Sequence, residues 1–108
     1  LIRMNWDTID SIESLENYQF TLIFKHSPRC IISRIVLERF ENNYESKFSY
    51  VKFFKINVID QRKVSNTIST LYNVHHESPQ VLLIKGNECL YHESHESIHF
   101  KTLKSYLK

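Results

Sequence analysis

FKHSPRCIIS, residues Phe24 to Ser33, places one cysteine after Lys25, His26 and Arg29, and a serine three positions further on. The apolar run from Phe20 to Phe24 is long enough for a buried strand and too short for a helix. Beyond the cysteine, Ile32, Ile35, Val36, Phe40 and Tyr44 recur at helical spacing, which predicts a helix opening at or near Cys30 and running to about Ser46. Cys30 therefore falls where a strand gives way to a helix N-terminus.

On the N-terminal side, Ile9, Ile12 and Leu15 predict an amphipathic helix over Thr8 to Tyr18, capped by Asp7 or Thr8. On the C-terminal side, Val51, Phe53 and Ile56 to Ile59 predict a second strand, and Val64, Ile68, Leu71 and Tyr72 a third helix. Val81 to Ile84 and Cys89 to His92 flank KGNE, which holds the single glycine, and predict a β-hairpin. Ile98 to Leu107 has the spacing of a closing helix. The predicted order is αβαβαββα, one domain over residues 1–108, with a central mixed four-stranded sheet flanked by helices. A thioredoxin-like α/β domain requires this order, with a cysteine where the first strand meets its helix.

The composition is 42% hydrophobic and 24% charged, a globular balance with a net charge of +2. Basic residues are scattered among acids along the chain, so a nucleic-acid partner is not expected. No apolar run approaches the roughly 18 residues of a membrane span, and LIRMNWDTID lacks the apolar core of a signal peptide. The expectation is a soluble cytoplasmic protein, and two cysteines suit a reducing compartment better than a disulfide scaffold.

A thiol reacts as its thiolate, and placement decides how much thiolate there is. At a helix N-terminus Cys30 would face unpaired backbone N–H groups and the positive end of the macrodipole, with Lys25, His26 and Arg29 close in sequence. A cysteine among isoleucines also packs as a small hydrophobe, and the residues near it do not decide between the two. Pro79, in ESPQVLL, bears on the choice. In the thioredoxin fold a cis-proline precedes the third core strand and lies across from the reactive cysteine, and Ser78–Pro79 stands where that strand begins. An ordinary strand-entry proline is the alternative.

The blocks Phe24-Lys25-His26-Ser27, Cys30, Ile32-Ser33, His76-Glu77-Ser78-Pro79-Gln80 and Ser94-His95 together resemble the monothiol bacilliredoxins, thioredoxin-like proteins of the bacillithiol system. The resemblance covers almost the whole chain. It implies a thiol–disulfide oxidoreductase in which Cys30 attacks a protein–bacillithiol mixed disulfide and takes the small thiol onto itself. No tightly bound cofactor is implied. Bacillithiol or a related low-molecular-weight thiol would be the co-substrate, with S-thiolated proteins and a thiol reductase as partners. Lys25, His26, Arg29, Ile31, Ser78 and Pro79 would tune the thiolate or bind substrate. Family members read Cys-Pro-Ile/Val-Ser, whereas this chain has Cys30-Ile31-Ile32-Ser33. Ile31 supplies an N–H that proline lacks and gives up the fixed φ.

Ser33 cannot resolve a mixed disulfide as a second thiol would, but its hydroxyl could donate to the Cys30 sulfur one turn away. Cys89 is the other internal candidate, and its place in the hairpin alternation suggests a packed thiol. His92, His95 and His99, with His75-His76 elsewhere, have ligand-compatible spacings but straddle three elements, so no metal site is expected. Two other classes remain open at this level. One is an iron–sulfur carrier of the monothiol-glutaredoxin type, although the cysteine-glycine-phenylalanine-serine signature is absent. The other is a non-catalytic thioredoxin-fold interaction module.

Overall fold

The computed structural model describes residues 4–9, 12, 15 and 18–107. Its elements are β1 (Trp6–Asp7), β2 (Thr21–His26), α1 (Ile31–Asn42), β3 (Lys52–Asn57), α2 (Arg62–Tyr72), β4 (Gln80–Lys85), β5 (Glu88–Ser94) and α3 (Phe100–Lys104). The strands form one mixed sheet in the order β1-β3-β2-β4-β5. β3 pairs in parallel with β1 and β2, while β4 is antiparallel to β2 and β5. Among the described residues no helix is long and apolar enough to cross a membrane.

The sheet has five strands where the sequence predicts four. The extra one is the dipeptide Trp6–Asp7, too short to show any alternation. Side chains hold it in place: Trp6 Nε1 donates to Glu41 Oε2 at 2.7 Å, and its ring meets Phe24 and Phe53 edge-on at 5.9 and 5.8 Å. The helix expected over Thr8 to Tyr18 lies largely outside the described residues. Of its apolar positions, Ile9 and Leu15 are buried and Ile12 packs beside them.

Central strands are apolar on both sides because both faces of the sheet are covered. Leu22, Phe24, Phe53, Val81 and Leu83 point to one core, which α1 and α3 close with Val36, Leu37, Phe40, Phe100 and Leu103. Ile23, Phe54, Ile56, Leu82 and Ile84 point to the other, closed by Ile68 of α2. In α1 the buried stripe is Val36, Leu37 and Phe40, with Ser33. Ile32 and Ile35, expected to face the core, are 39% and 56% exposed. The helix also stops at Asn42, short of Ser46, because Asn43 turns back and donates from Nδ2 to the Arg39 carbonyl at 2.8 Å. Tyr44 still reaches the core from outside the helix, stacking edge-on against Phe53 and Phe100.

Phe40 sits where three rings converge, 5.6 Å from Phe24, 5.1 Å from Phe100 and 6.3 Å from Trp6, and it is 1% exposed. Phe40→Ala should cost about 3–5 kcal/mol in urea unfolding, whereas Ile35→Ala on the exposed side of the same helix should stay within about 0.5 kcal/mol. Similar losses for both would contradict this assignment of the helix faces.

Candidate functional site

Cys30 is the N-cap of α1, with extended backbone (φ −97°, ψ 122°), and it carries no side-chain cap. Its carbonyl accepts the first helical bond from Arg34 N–H at 3.1 Å, and its own N–H closes a turn onto the Ser27 carbonyl at 3.0 Å. The N–H groups of the first turn therefore lack helical partners beside the thiol, and no acidic residue stands in that turn to oppose a negative charge. Cys30 is partly exposed and unpaired, with Arg29 and Ile31 exposed on either side. Reactive thiols sit in such partly open, electropositive places.

Ser33 is fully buried, and its hydroxyl does not serve Cys30. Ser33 Oγ accepts the Ser27 N–H at 3.0 Å and shares a 2.8 Å hydrogen bond with His26 Nδ1, whose direction depends on the imidazole tautomer. One oxygen thereby ties the end of β2, the turn at Ser27 and the first turn of α1 together around the cysteine. Among the described residues no hydrogen bond reaches Cys30 Sγ; of the two roles open to Ser33 in the sequence, a donor to that sulfur or a plain helix-face serine, the structure shows neither, and its hydroxyl makes this clamp instead. Burial lowers the His26 pKa, the nearby Lys55 and Arg34 charges lower it further, and Glu41 partly opposes them. The ring is thus neutral at pH 7.

Lys25 also departs from expectation. Flanked by Phe24 and His26, it points to the opposite face of the sheet from α1, where it is fully buried. Its ammonium donates to the Ser65 carbonyl at 3.0 Å, Ser69 Oγ at 2.9 Å and His76 Nδ1 at 3.3 Å. Burial brings its pKa from 10.5 down to about 8. It belongs to the α2 side and does not border the cysteine.

The segment at 76–80 returns to the Cys30 end of the sheet. β4 enters with Gln80 opposite Lys25, so Pro79 follows on at the level of His26. The Ser78–Pro79 bond is cis, and the Pro79 carbonyl accepts the His95 N–H at 2.9 Å. Ser78 Oγ is buried without a hydrogen-bond partner. Glu77 accepts from Ser94 Oγ at 3.0 Å and lies 3.7 Å from His95 Nδ1, while Gln80 Nε2 donates to the His75 carbonyl at 2.8 Å. Arg39 of α1 donates to the Glu96 carbonyl at 2.9 Å and fastens this rim to the helix. Glu77, Gln80, Ser94, Lys55 and Arg34 are site neighbours that periodicity and spacing do not single out. Only the HESPQ and Ser94-His95 blocks pointed toward the first three.

Cys89 pairs with Ile84, four residues along β4 from Gln80 and so about 13 Å from the Cys30 end of the sheet. It packs with the α2-side core, its Sγ donates to the Tyr91 carbonyl at 3.4 Å, and burial pushes its thiol pKa up. Among the described residues no three His, Cys, Asp or Glu side chains converge on a metal-sized site.

Comparison with known proteins bears on this geometry. A family model, monothiol bacilliredoxin BrxC, matches residues 4–103. A solved thioredoxin-fold protein, provisionally described as an oxidoreductase, superposes with a TM-score of 0.76 at 26% identity, covering 94% of this chain and 92% of its own. Thioredoxin from Trypanosoma brucei brucei gives 0.72 at 16% identity over 98% and 95% of the two chains. Thioredoxin from Malassezia sympodialis gives 0.72 at 13% over 98% and 91%. The two thioredoxins speak for the fold alone.

Proposed function

Because this chain belongs to the monothiol bacilliredoxin family, we propose that it is a one-cysteine thiol–disulfide oxidoreductase that removes bacillithiol, or a related low-molecular-weight thiol, from protein mixed disulfides. The observation that carries the reading is Cys30 at the open N-cap of α1, with a fully buried, doubly hydrogen-bonded serine one turn on where a resolving thiol would otherwise stand.

The cycle balances with one protein thiol. Cys30 S⁻ attacks the sulfur of the small thiol in the substrate's mixed disulfide. A Cys30–small-thiol disulfide forms, the substrate disulfide breaks, and the substrate cysteine leaves as thiolate and takes a proton from water. A second thiol, free or from a reductase, then attacks the small thiol's sulfur and releases Cys30 S⁻. The unpaired N–H groups of the helix start stabilise the sulfur anion in both steps. Neutral His26, turned toward Ser33, adds no positive charge of its own at pH 7. Ile31 leaves one more N–H at the helix start than a proline would. Arg29, exposed and adjacent to Cys30 in the chain, would meet an incoming substrate; Ser78, whose Oγ is buried, would support the Pro79 segment rather than touch the substrate. The compartment that suits this chemistry is a reducing cytoplasm.

Ser33→Cys should not turn the protein into an efficient dithiol enzyme, because the buried oxygen it removes clamps the 26–33 turn. Ser33→Ala should lower stability by about 1–2 kcal/mol, the cost of leaving the Ser27 N–H unpaired, and should slow transfer several-fold. Unfolding midpoints and de-thiolation rates check both variants. A Ser33→Cys protein that is faster than wild type and closes an internal disulfide between positions 30 and 33 would contradict the clamp.

A further inference from the structure

On the face of the sheet away from Cys30, α2 and the segment that follows it border an open cleft of about 550 Å3, lined by residues including Asn66, Ser69, Thr70, Asn73, His75 and His76. No acidic residue among the described residues lines it. The groove continues along α2 past Asn66 and Thr70 to Arg62 and Lys63, again with no acid among the described residues. Directly behind its wall lies the Lys25 ammonium, bonded to Ser69 and His76. Among the described residues Lys25 has three hydrogen-bond acceptors and no carboxylate, so its charge is solvated but not neutralised. A buried charge without a counter-ion is costly, and here two of its partners, Ser69 and His76, line the cleft.

Lys25 also fixes the chemistry His76 presents. An ammonium only donates, so His76 Nδ1 accepts, and the neutral ring carries its proton on Nε2. Ser65 Oγ lies 3.2 Å from the same Nδ1. His76 lines the cleft with Nδ1 turned inward, which leaves Nε2–H as the ring's available donor. An oriented N–H backed by a low-dielectric cation suits an anion better than a neutral hydroxyl.

We propose that this cleft binds a small anion, a carboxylate or a phosphate, with His76 Nε2–H as the donor and the buried Lys25 charge behind it. The site is separate from the Cys30 chemistry and does not rest on it. Cys30→Ser should bind the anion as wild type does, so failure of either reading leaves the other standing.

The test is NMR titration of the full chain with succinate and, separately, inorganic phosphate, at ionic strength held constant with chloride. The expected result is saturable shifts at Asn73 to His76 and at the His76 ring nitrogens. If only one anion saturates, the site is assigned to that group. Lys25→Met should weaken binding by about tenfold, the loss of one charge screened at an effective dielectric near 20. Should that variant not fold, wild type decides through pH. The charged and titratable groups facing His76 are Lys25 from β2, Arg62 from α2, and His75 and Glu77 from the loop. Lys25 loses its proton near pH 8, so succinate should bind more weakly at pH 9.5 than at pH 7. Absence of saturable shifts, equal affinity at both pH values, or a site abolished by Arg62→Ala but untouched by Lys25→Met would overturn the proposal.

Discussion

Cys30→Ser is expected to abolish transfer of the small thiol, lowering the de-thiolation rate by about a thousandfold or more, since an alcohol at pH 7 offers almost none of the nucleophilic anion that a thiolate does. Cys89→Ser is expected to leave the rate unchanged. The contrast follows from placement. Cys30 caps a helix at the open end of the sheet, beside unpaired N–H groups, whereas Cys89 is half-buried with its ionised form disfavoured. A stopped-flow or gel-based assay on an S-thiolated protein, run with both variants at equal concentration, reads the difference. If Cys89→Ser were the inactive variant, the active site would have to be moved across the sheet.

The second large effect concerns stability at alkaline pH. Lys25 is buried and its pKa falls from 10.5 to about 8. Below pH 8 the folded and unfolded chains both hold the proton, and the cost of burying the charge is fully present. Between about pH 8 and 10.5 the folded chain has released it while the unfolded chain retains it, so stability rises with pH, by at most on the order of 3 kcal/mol. Tyr44, Tyr91 and Cys89 work the other way, because burial raises their pKa and their contribution falls as pH climbs. The difference between wild type and Lys25→Met isolates the lysine. Denaturant unfolding at pH 7, 8, 9 and 10 should show wild type gaining on the variant across that range. A constant difference would mean that Lys25 keeps an ordinary pKa in the folded chain.

Lys25 also shows where sequence reading stops. In the sequence the apolar run ends at Phe24 and Lys25 is expected beside the thiol, but β2 continues to His26 as a central strand covered on both faces, so neither side of the alternation leads to water. Its partners, Ser65, Ser69 and His76, lie forty or more residues away and share no sequence pattern with it. Ser33 is similar: its spacing from Cys30 is visible in the sequence, but its bonds to Ser27 and His26 require the turn to have closed. The placement of Cys30 at a helix start was legible, because an apolar run changes to helical periodicity at that residue. The hairpin was legible from alternation broken at KGNE, where Gly86 takes a φ of 61°. The fifth strand was not, since two residues carry no period and are fixed by partners distant in sequence, Glu41 for Trp6 and Lys52 for Asp7. Ile32 and Ile35 misled because apolar side chains on the open side of α1 add to the helical spacing without facing the core.

Intact-mass analysis after mixing the reduced protein with a substrate protein carrying one bacillithiol mixed disulfide tests the central claim most directly, with a glutathione-carrying substrate run in parallel. The predicted result is that the mass of the small thiol disappears from the substrate and appears on this chain, mapped to Cys30 by peptide sequencing and reversed by added free thiol. A substrate that keeps its adduct, or a label found on Cys89, would contradict it.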